Sequence, residues 1–104
     1  MMIELLFDSD CPNVPAAREN LRRALVARHL PVLWAEWDRQ APGCPDYVRR
    51  YGSPTILVDG SDVAGEPPVD APSCRLYFDA HGHRFGAPPL ETILAALGCA
   101  LPYP

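Results

Sequence analysis

Apolar runs alternate with polar, proline-rich breaks along the chain, and the period of each run indicates its structure. An almost wholly apolar run at residues 2–7 predicts a strand buried on both faces. Residues 15–29 carry apolar side chains at helical spacing with arginines between them, and they predict an amphipathic helix. Leu30 and Pro31 end this helix, and residues 32–37 predict a second strand.

The middle of the chain predicts shorter elements. Residues 45–51 predict a short helix that begins with proline in its tolerated first turn. Residues 55–58 predict a compact β-branched strand, and Asp59-Gly60 is a strong turn signal after it. Residues 61–73 then read as a long proline-rich loop.

The last part of the chain predicts one more strand and one more helix. Residues 74–78 alternate, so we expect Cys74, Leu76 and Phe78 on the inner face of a fourth strand. Residues 89–97 carry one apolar stripe and predict the closing helix. The order β-α-β-α-β-β-α predicts an α/β fold with a four-stranded mixed sheet flanked by helices.

Composition limits the classes of function. With 104 residues, the chain predicts a single domain spanning 1–104, and 48% hydrophobic against 21% charged residues excludes a disordered chain. The net charge is −4 and the nine cations are scattered arginines, which argues against nucleic acid or an anionic membrane as a partner. The beginning of the chain lacks the pattern of a signal peptide, so we expect a cytoplasmic protein.

Four cysteines, at positions 11, 44, 74 and 99, are the candidates for chemistry. None belongs to a C-x-x-C or C-x-x-H pair, so no metal or other cofactor is expected. A cytoplasmic setting keeps such thiols reduced.

Three short motifs stand at the ends of the predicted strands. They are Leu5-Leu6-Phe7-Asp8 before Cys11-Pro12-Asn13, Ser53-Pro54-Thr55-Ile56 through Val58-Asp59-Gly60, and Ser73-Cys74-Arg75-Leu76-Tyr77. Together with the element order, they resemble a group of small bacterial thioredoxin-like proteins, some of which are labelled alkylmercury lyases. The resemblance covers the whole chain in topology and implies a thioredoxin-like fold.

The resemblance also implies roles for particular residues. Cys11 would be the attacking thiol, and Pro54 would be a cis-proline beside it. The residues implied to bind the substrate flank these positions: Pro12, Asn13, Ser53, Pro54 and Thr55. Val14 stands where a dithiol thioredoxin carries its resolving cysteine, so disulfide cycling within residues 11–14 is impossible here.

The surroundings of Cys11 contain opposing influences. Free N–H groups at a helix N-terminus stabilise a thiolate, and Cys11 precedes such a terminus. Asp8 and Asp10 oppose a second negative charge nearby. The sequence leaves open whether these carboxylates crowd the thiol, and also whether Cys11 is merely an idle cysteine at a loop end.

The other thiols have weaker expectations. Cys74 is expected in the core, because five strand residues at about 3.3 Å each would separate it from Cys11 by more than ~15 Å. It approaches the site only if the fourth strand starts later in the chain. Cys44 is the candidate resolving thiol or an idle exposed cysteine, and Cys99 is expected at the far edge. His81 and His83 are expected in a solvated turn, with a base or a soft-metal ligand as the alternative.

Three functions fit these expectations. The first is a monothiol oxidoreductase or transferase, in which Cys11 attacks a disulfide or a peroxide and a low-molecular-weight thiol or a second protein resolves the mixed disulfide. An extended substrate, such as a protein, would pair with the backbone of Ser53. The second is a soft-metal-binding protein that holds a mercury-type ion by Cys11 with Cys44 or Cys74. The third is a redox-silent module that binds proteins at the Pro54 edge.

Overall fold

Strand β1, Ile3–Phe7, lies at the centre of a mixed sheet in the computed structural model, which describes residues 1–69 and 74–98. It pairs in parallel with β2 (Ala35–Asp38) and antiparallel with β3 (Thr55–Val58). Strand β3 pairs antiparallel with β4 (Ser61–Asp62), which gives the order β2-β1-β3-β4. The predicted mixed α/β fold with a four-stranded sheet is confirmed.

Two helices cover one face of this sheet. Helix α1, Val14–Ala27, and helix α2, Leu90–Gly98, lie within a residue or two of their predicted bounds. Their buried residues form one apolar cluster with those of β1 and β3: Ile3, Leu5, Val14, Ala17, Leu21, Ala24, Leu25, Ile56, Ala87, Ile93 and Leu97. Helix α1 ends because His29 is left-handed, with φ 57°, and Leu30 N–H reaches back to the Leu25 carbonyl at 2.9 Å.

The other face is covered by a 3₁₀ helix, Asp46–Arg50, where the sequence predicts a short helix at 45–51. Leu6, Cys44, Val48 and Leu57 form a second buried cluster between it and the sheet. Because side chains alternate along a strand, Leu5 and Leu6 of β1 belong to different clusters. This is why the first strand is apolar on both faces.

The prediction of residues 74–78 as the fourth strand of this sheet was wrong. Asp59 and Gly60 both have positive φ, 50° and 85°, and form a tight two-residue turn. The chain therefore reverses at once, and Ser61 pairs with Val58 as the start of β4. Tyr77–Phe78 forms β5, which among residues 1–69 and 74–98 pairs with β6 (Arg84–Phe85) in a separate two-stranded sheet.

The predicted faces of residues 74–78 are also inverted. Cys74, Leu76 and Phe78 are exposed, and Tyr77 is buried at 3% exposure. The Arg75 side chain pairs with the buried Asp62, and the Tyr77 hydroxyl donates to the carbonyl of the buried Pro54. Both side chains therefore point into the protein. The core position predicted for Cys74 is therefore wrong.

Smaller differences concern the second strand and the chain end. β2 begins at Ala35, not at 32, and Val32 and Leu33 are exposed. His81 and His83 lie in an exposed turn, as predicted, where Asp79 accepts hydrogen bonds from both of their backbone N–H groups. Cys99 falls outside the described residues. Within residues 1–69 and 74–98, no helix has the length and apolar character needed to cross a membrane.

Candidate functional site

Cys11 occupies a turn between the end of β1 and the start of α1. Its backbone N–H donates to the Asp8 carbonyl at 3.0 Å, which closes the turn three residues before α1 begins at Val14. The side chain is partly exposed and packs against the cluster between the sheet and the two helices. The first-turn N–H groups of α1 favour negative charge on this side of the helix.

The Asp8 carboxylate is engaged by an arginine. Arg39 Nη1 lies 2.6 and 2.7 Å from the two oxygens of Asp8, and the side chains are only 11% and 16% exposed. Arg39 follows β2, whose parallel pairing with β1 brings the ends of both strands to one edge. The sequence left open how far Asp8 opposes a thiolate at Cys11. The positive charge of Arg39 offsets the negative charge of Asp8.

Ser53 connects the Cys11 turn to the start of β3. Its buried hydroxyl accepts a hydrogen bond from the Asp8 backbone N–H at 2.9 Å. The peptide bond between Ser53 and Pro54 is cis, as the resemblance implies. Cys11 is thus two hydrogen bonds from Ser53, through the backbone of Asp8.

Cys74 lies on the other side of Ser53. The two residues form an isolated parallel β-bridge, and Arg75 N–H donates to the Ser53 carbonyl at 3.1 Å. The expected separation of Cys74 to the opposite sheet edge is therefore wrong. Because β4 is made by residues 61–62, the chain is free to return to the start of β3, and it does so at Cys74.

Residues 74–77, which we call the 74–77 segment, are held beside β3 by the side chain of Arg75. The guanidinium donates to Thr55 Oγ1 at 3.1 Å and pairs with Asp62 at 2.9 Å. It also lies over the Tyr77 ring, 4.6 Å from the ring centroid. Burial is the largest single influence on the pKa of Arg75 and lowers it, but the hydrogen bond to Asp62 and the nearby Tyr77, Asp62 and Glu66 together raise the pKa above its ordinary value.

Tyr77 makes a second contact that holds this segment beside β3. Its hydroxyl donates to the Pro54 carbonyl, and burial raises the pKa of the phenol well above its usual range. The carbonyls of Ser53 and Pro54 thus both accept hydrogen bonds from the 74–77 segment. The Ser53 carbonyl, which was expected to pair with an extended substrate, therefore already accepts one hydrogen bond from within the protein.

Cys44 lies away from this arrangement. It is 9% exposed in the second cluster, below the 3₁₀ helix, and its sulfur contacts the Arg39 carbonyl at 3.9 Å. Cys11 packs against the cluster on the opposite face of the sheet. A disulfide between these thiols would require one of them to leave its cluster, so the structure does not bring together Cys11 and the candidate resolving thiol.

The remaining predicted site residues differ in access. Pro12 is exposed, and Asn13 is partly buried with its side-chain amide against Gly86. Pro54 and Thr55 are buried, and Thr55 Oγ1 donates to the Gly52 carbonyl at 2.6 Å. Pro12 and Asn13 are thus more accessible to a substrate than Pro54 and Thr55.

Sequence reasoning missed the roles of Asp62, Arg75 and Tyr77. The available signal was a cationic and an aromatic residue two apart, directly after a cysteine, in Cys74-Arg75-Leu76-Tyr77. Their buried partner Asp62 follows a turn dipeptide by two residues, and nothing local links it to Arg75. Among the described residues, no group of three or more His, Cys, Asp or Glu side chains lies together as a metal site would require.

Comparison with known proteins gives no match: no protein-family model, no curated protein and no solved structure matches this chain.

Proposed function

We propose that this protein is a thiol-disulfide oxidoreductase or transferase with a thioredoxin-like fold, in which Cys11 is the attacking thiol. The order of the main elements supports such a fold. A parallel β1-α1-β2 unit is followed by the antiparallel strands β3 and β4 and a closing helix. The 3₁₀ helix takes the place of the second helix of the order β-α-β-α-β-β-α.

The observation that carries the proposed function is the position of Cys11. It is a partly exposed thiol between a strand end and a helix start, and Arg39 pairs with the carboxylate of Asp8, the residue that closes its turn. A thiolate is the reacting form in thiol-disulfide exchange, and this setting combines access with reduced negative charge. Attack by Cys11 on a disulfide forms a mixed disulfide and releases one thiolate.

The substrate that we favour is a small disulfide. Backbone pairing of an extended polypeptide at the start of β3 needs free backbone groups, and the 74–77 segment already engages the carbonyls of Ser53 and Pro54. A low-molecular-weight disulfide needs only access to Cys11 and its neighbours Pro12 and Asn13. We also propose a reducing cytoplasm, which would supply low-molecular-weight thiols as electron donors.

The two alternative functions have less support. A protein-binding module at the Pro54 edge meets the same occupied carbonyls. Soft-metal binding by Cys11 with Cys44 requires thiols on opposite faces of the sheet, whereas Cys11 with Cys74 remains compatible with the bridge to Ser53. Titration of Hg²⁺ into Cys11→Ser and Cys74→Ser proteins tests this pair, and binding unchanged in both would exclude it.

Reaction with glutathione disulfide tests the proposed function. Cys11 in the folded protein should form the mixed disulfide at least about tenfold faster than Cys11 in the urea-unfolded chain. Cys11 is the only cysteine of tryptic peptide 1–18, so the loss of the unmodified form of this peptide measures the reaction directly. A Cys11→Ser protein is the control. An equal or slower rate in the folded protein would contradict the proposal.

A further inference from the structure

Ser53 receives hydrogen bonds from two segments that each carry a cysteine. Its hydroxyl accepts from the Asp8 N–H, and Asp8 in turn closes the Cys11 turn. Its carbonyl accepts from Arg75 N–H, the residue after Cys74. In a parallel bridge, Cys74 and Ser53 have backbones about 4.8 Å apart. One buried serine therefore holds the Cys11 and Cys74 segments at the same end of β3.

The two thiols differ from Cys44 in access. Cys74 is exposed and Cys11 is partly exposed, whereas Cys44 is buried in the second cluster. The backbone of the 74–77 segment is held in place by the Arg75–Asp62 ion pair and by the Tyr77 hydrogen bond. The side chain of Cys74 is nevertheless exposed to solvent. A resolving thiol needs both properties, because it must reach the first sulfur and yet stay near it.

We propose that Cys74 is the resolving thiol of Cys11, in place of the resolving cysteine that a dithiol thioredoxin carries at the position of Val14. This inference rests on the proposed reaction of Cys11 and adds its second step. The Cys74 thiolate attacks the Cys11 sulfur of the mixed disulfide. A Cys11–Cys74 disulfide forms and the second substrate thiolate leaves.

The electrons balance over the two steps. The protein dithiol loses two electrons and two protons, and the substrate disulfide gains them as two thiols. A low-molecular-weight dithiol then reduces the Cys11–Cys74 disulfide and restores the protein. The protein would therefore work as a dithiol enzyme whose two cysteines are 63 positions apart in the chain (74 − 11).

Tryptic mapping without reduction tests this inference well, because each cysteine falls in its own peptide. Cleavage after arginine places the four cysteines in peptides 1–18, 40–49, 51–75 and 85–104. After reaction of the full chain with glutathione disulfide, the wild type should yield peptide 1–18 joined to 51–75. In Cys74→Ser this product should disappear, and glutathionylated 1–18 should rise about tenfold above its wild-type level. Cys99→Ser is the matched control and should keep the joined product.

The outcomes separate the two proposals. Glutathione retained on Cys11 in the wild type with Cys74 free would overturn the role of Cys74 and leave the proposed function standing. Joining of 51–75 to 40–49 or 85–104 would also overturn it. If peptide 1–18 gains no glutathione even in Cys74→Ser, both proposals fail. Cys74→Ala provides a second variant should the serine protein not fold.

Discussion

Arg75 and Asp62 form an ion pair that is almost closed to water. Nη2 lies 2.9 Å from Oδ2, and the side chains are 13% and 0% exposed. The Asp62 carboxylate also accepts hydrogen bonds from the backbone N–H groups of Ala64 and Glu66. The pair joins the end of the main sheet to the 74–77 segment, and it thereby fixes the position of Cys74.

Replacement of Arg75 by glutamine should destabilise the protein strongly. The variant leaves the Asp62 carboxylate buried without its cation, which costs about 3–5 kcal/mol when one partner of a buried pair is removed. Urea unfolding measures the loss. Arg22→Gln is the matched control, because Arg22 pairs with Glu19 on the surface. This variant should have nearly the same free energy of unfolding as the wild type. Equal stability of both variants would contradict a structural role for the Arg75–Asp62 pair.

Ser53→Ala should loosen the connection between β3 and the Cys11 turn. The change removes the acceptor of the Asp8 N–H, and an unsatisfied buried donor costs about 1–3 kcal/mol. The free energy of unfolding should fall by this amount, and hydrogen exchange of the Asp8 amide should accelerate. Ser61→Ala, at an exposed position of β4, should change neither quantity. An unchanged Asp8 exchange rate would argue against this hydrogen bond.

Gly86→Ala should disturb the Asn13 side chain beside the Cys11 turn. A Cβ at position 86 would overlap the Asn13 amide group, so the amide or the segment before α2 must shift. We expect a loss of stability of about 1–3 kcal/mol, typical of overpacking. Chemical unfolding of the wild type, the Gly86→Ala variant and the double variant checks this prediction. The double variant with Asn13→Ala should recover most of the loss, and failure to recover would place the clash elsewhere.

Tyr47 should titrate unusually late. Its hydroxyl donates to the buried Glu4 carboxylate, and this hydrogen bond, with burial, raises the pKa of Tyr47 from 10.0 to about 12. A raised folded-state pKa means that the stabilisation is complete below pH ~10 and is lost as the pH rises towards 12. Glu4→Gln should lower the Tyr47 midpoint in tyrosinate absorbance, with Tyr47→Phe subtracted to isolate it. A midpoint near 10 in the wild type would contradict the assignment.

The fold was predictable where local periodicity and burial agree. β3 has its predicted bounds, because Thr55–Val58 is a short β-branched run between a proline and a turn dipeptide. Helix α1 was predictable because its buried positions follow one stripe. Residues 74–78 were not, since alternation alone assigned Arg75 and Tyr77 to solvent. Their burial depends on Asp62 and on the Pro54 carbonyl, which are distant in sequence.

The candidate site was predictable only in its first half. The position of Cys11 at a strand end follows from the apolar run before it and the helix after it. The approach of Cys74 to Ser53 depends on where the fourth strand forms, and two turn residues, Asp59 and Gly60, decide this by reversing the chain at once. A pattern of apolar residues carries no information on that choice.

Because Cys44 is buried in the second cluster, its accessibility reports whether the protein is folded. A small alkylating reagent that modifies Cys11 or Cys74 has met surface groups, whereas one that modifies Cys44 has met a chain whose second cluster is open. The ratio of Cys44 modification to modification of Cys11 or Cys74, measured in a single digest, therefore distinguishes unfolding of the protein from reaction at its surface thiols.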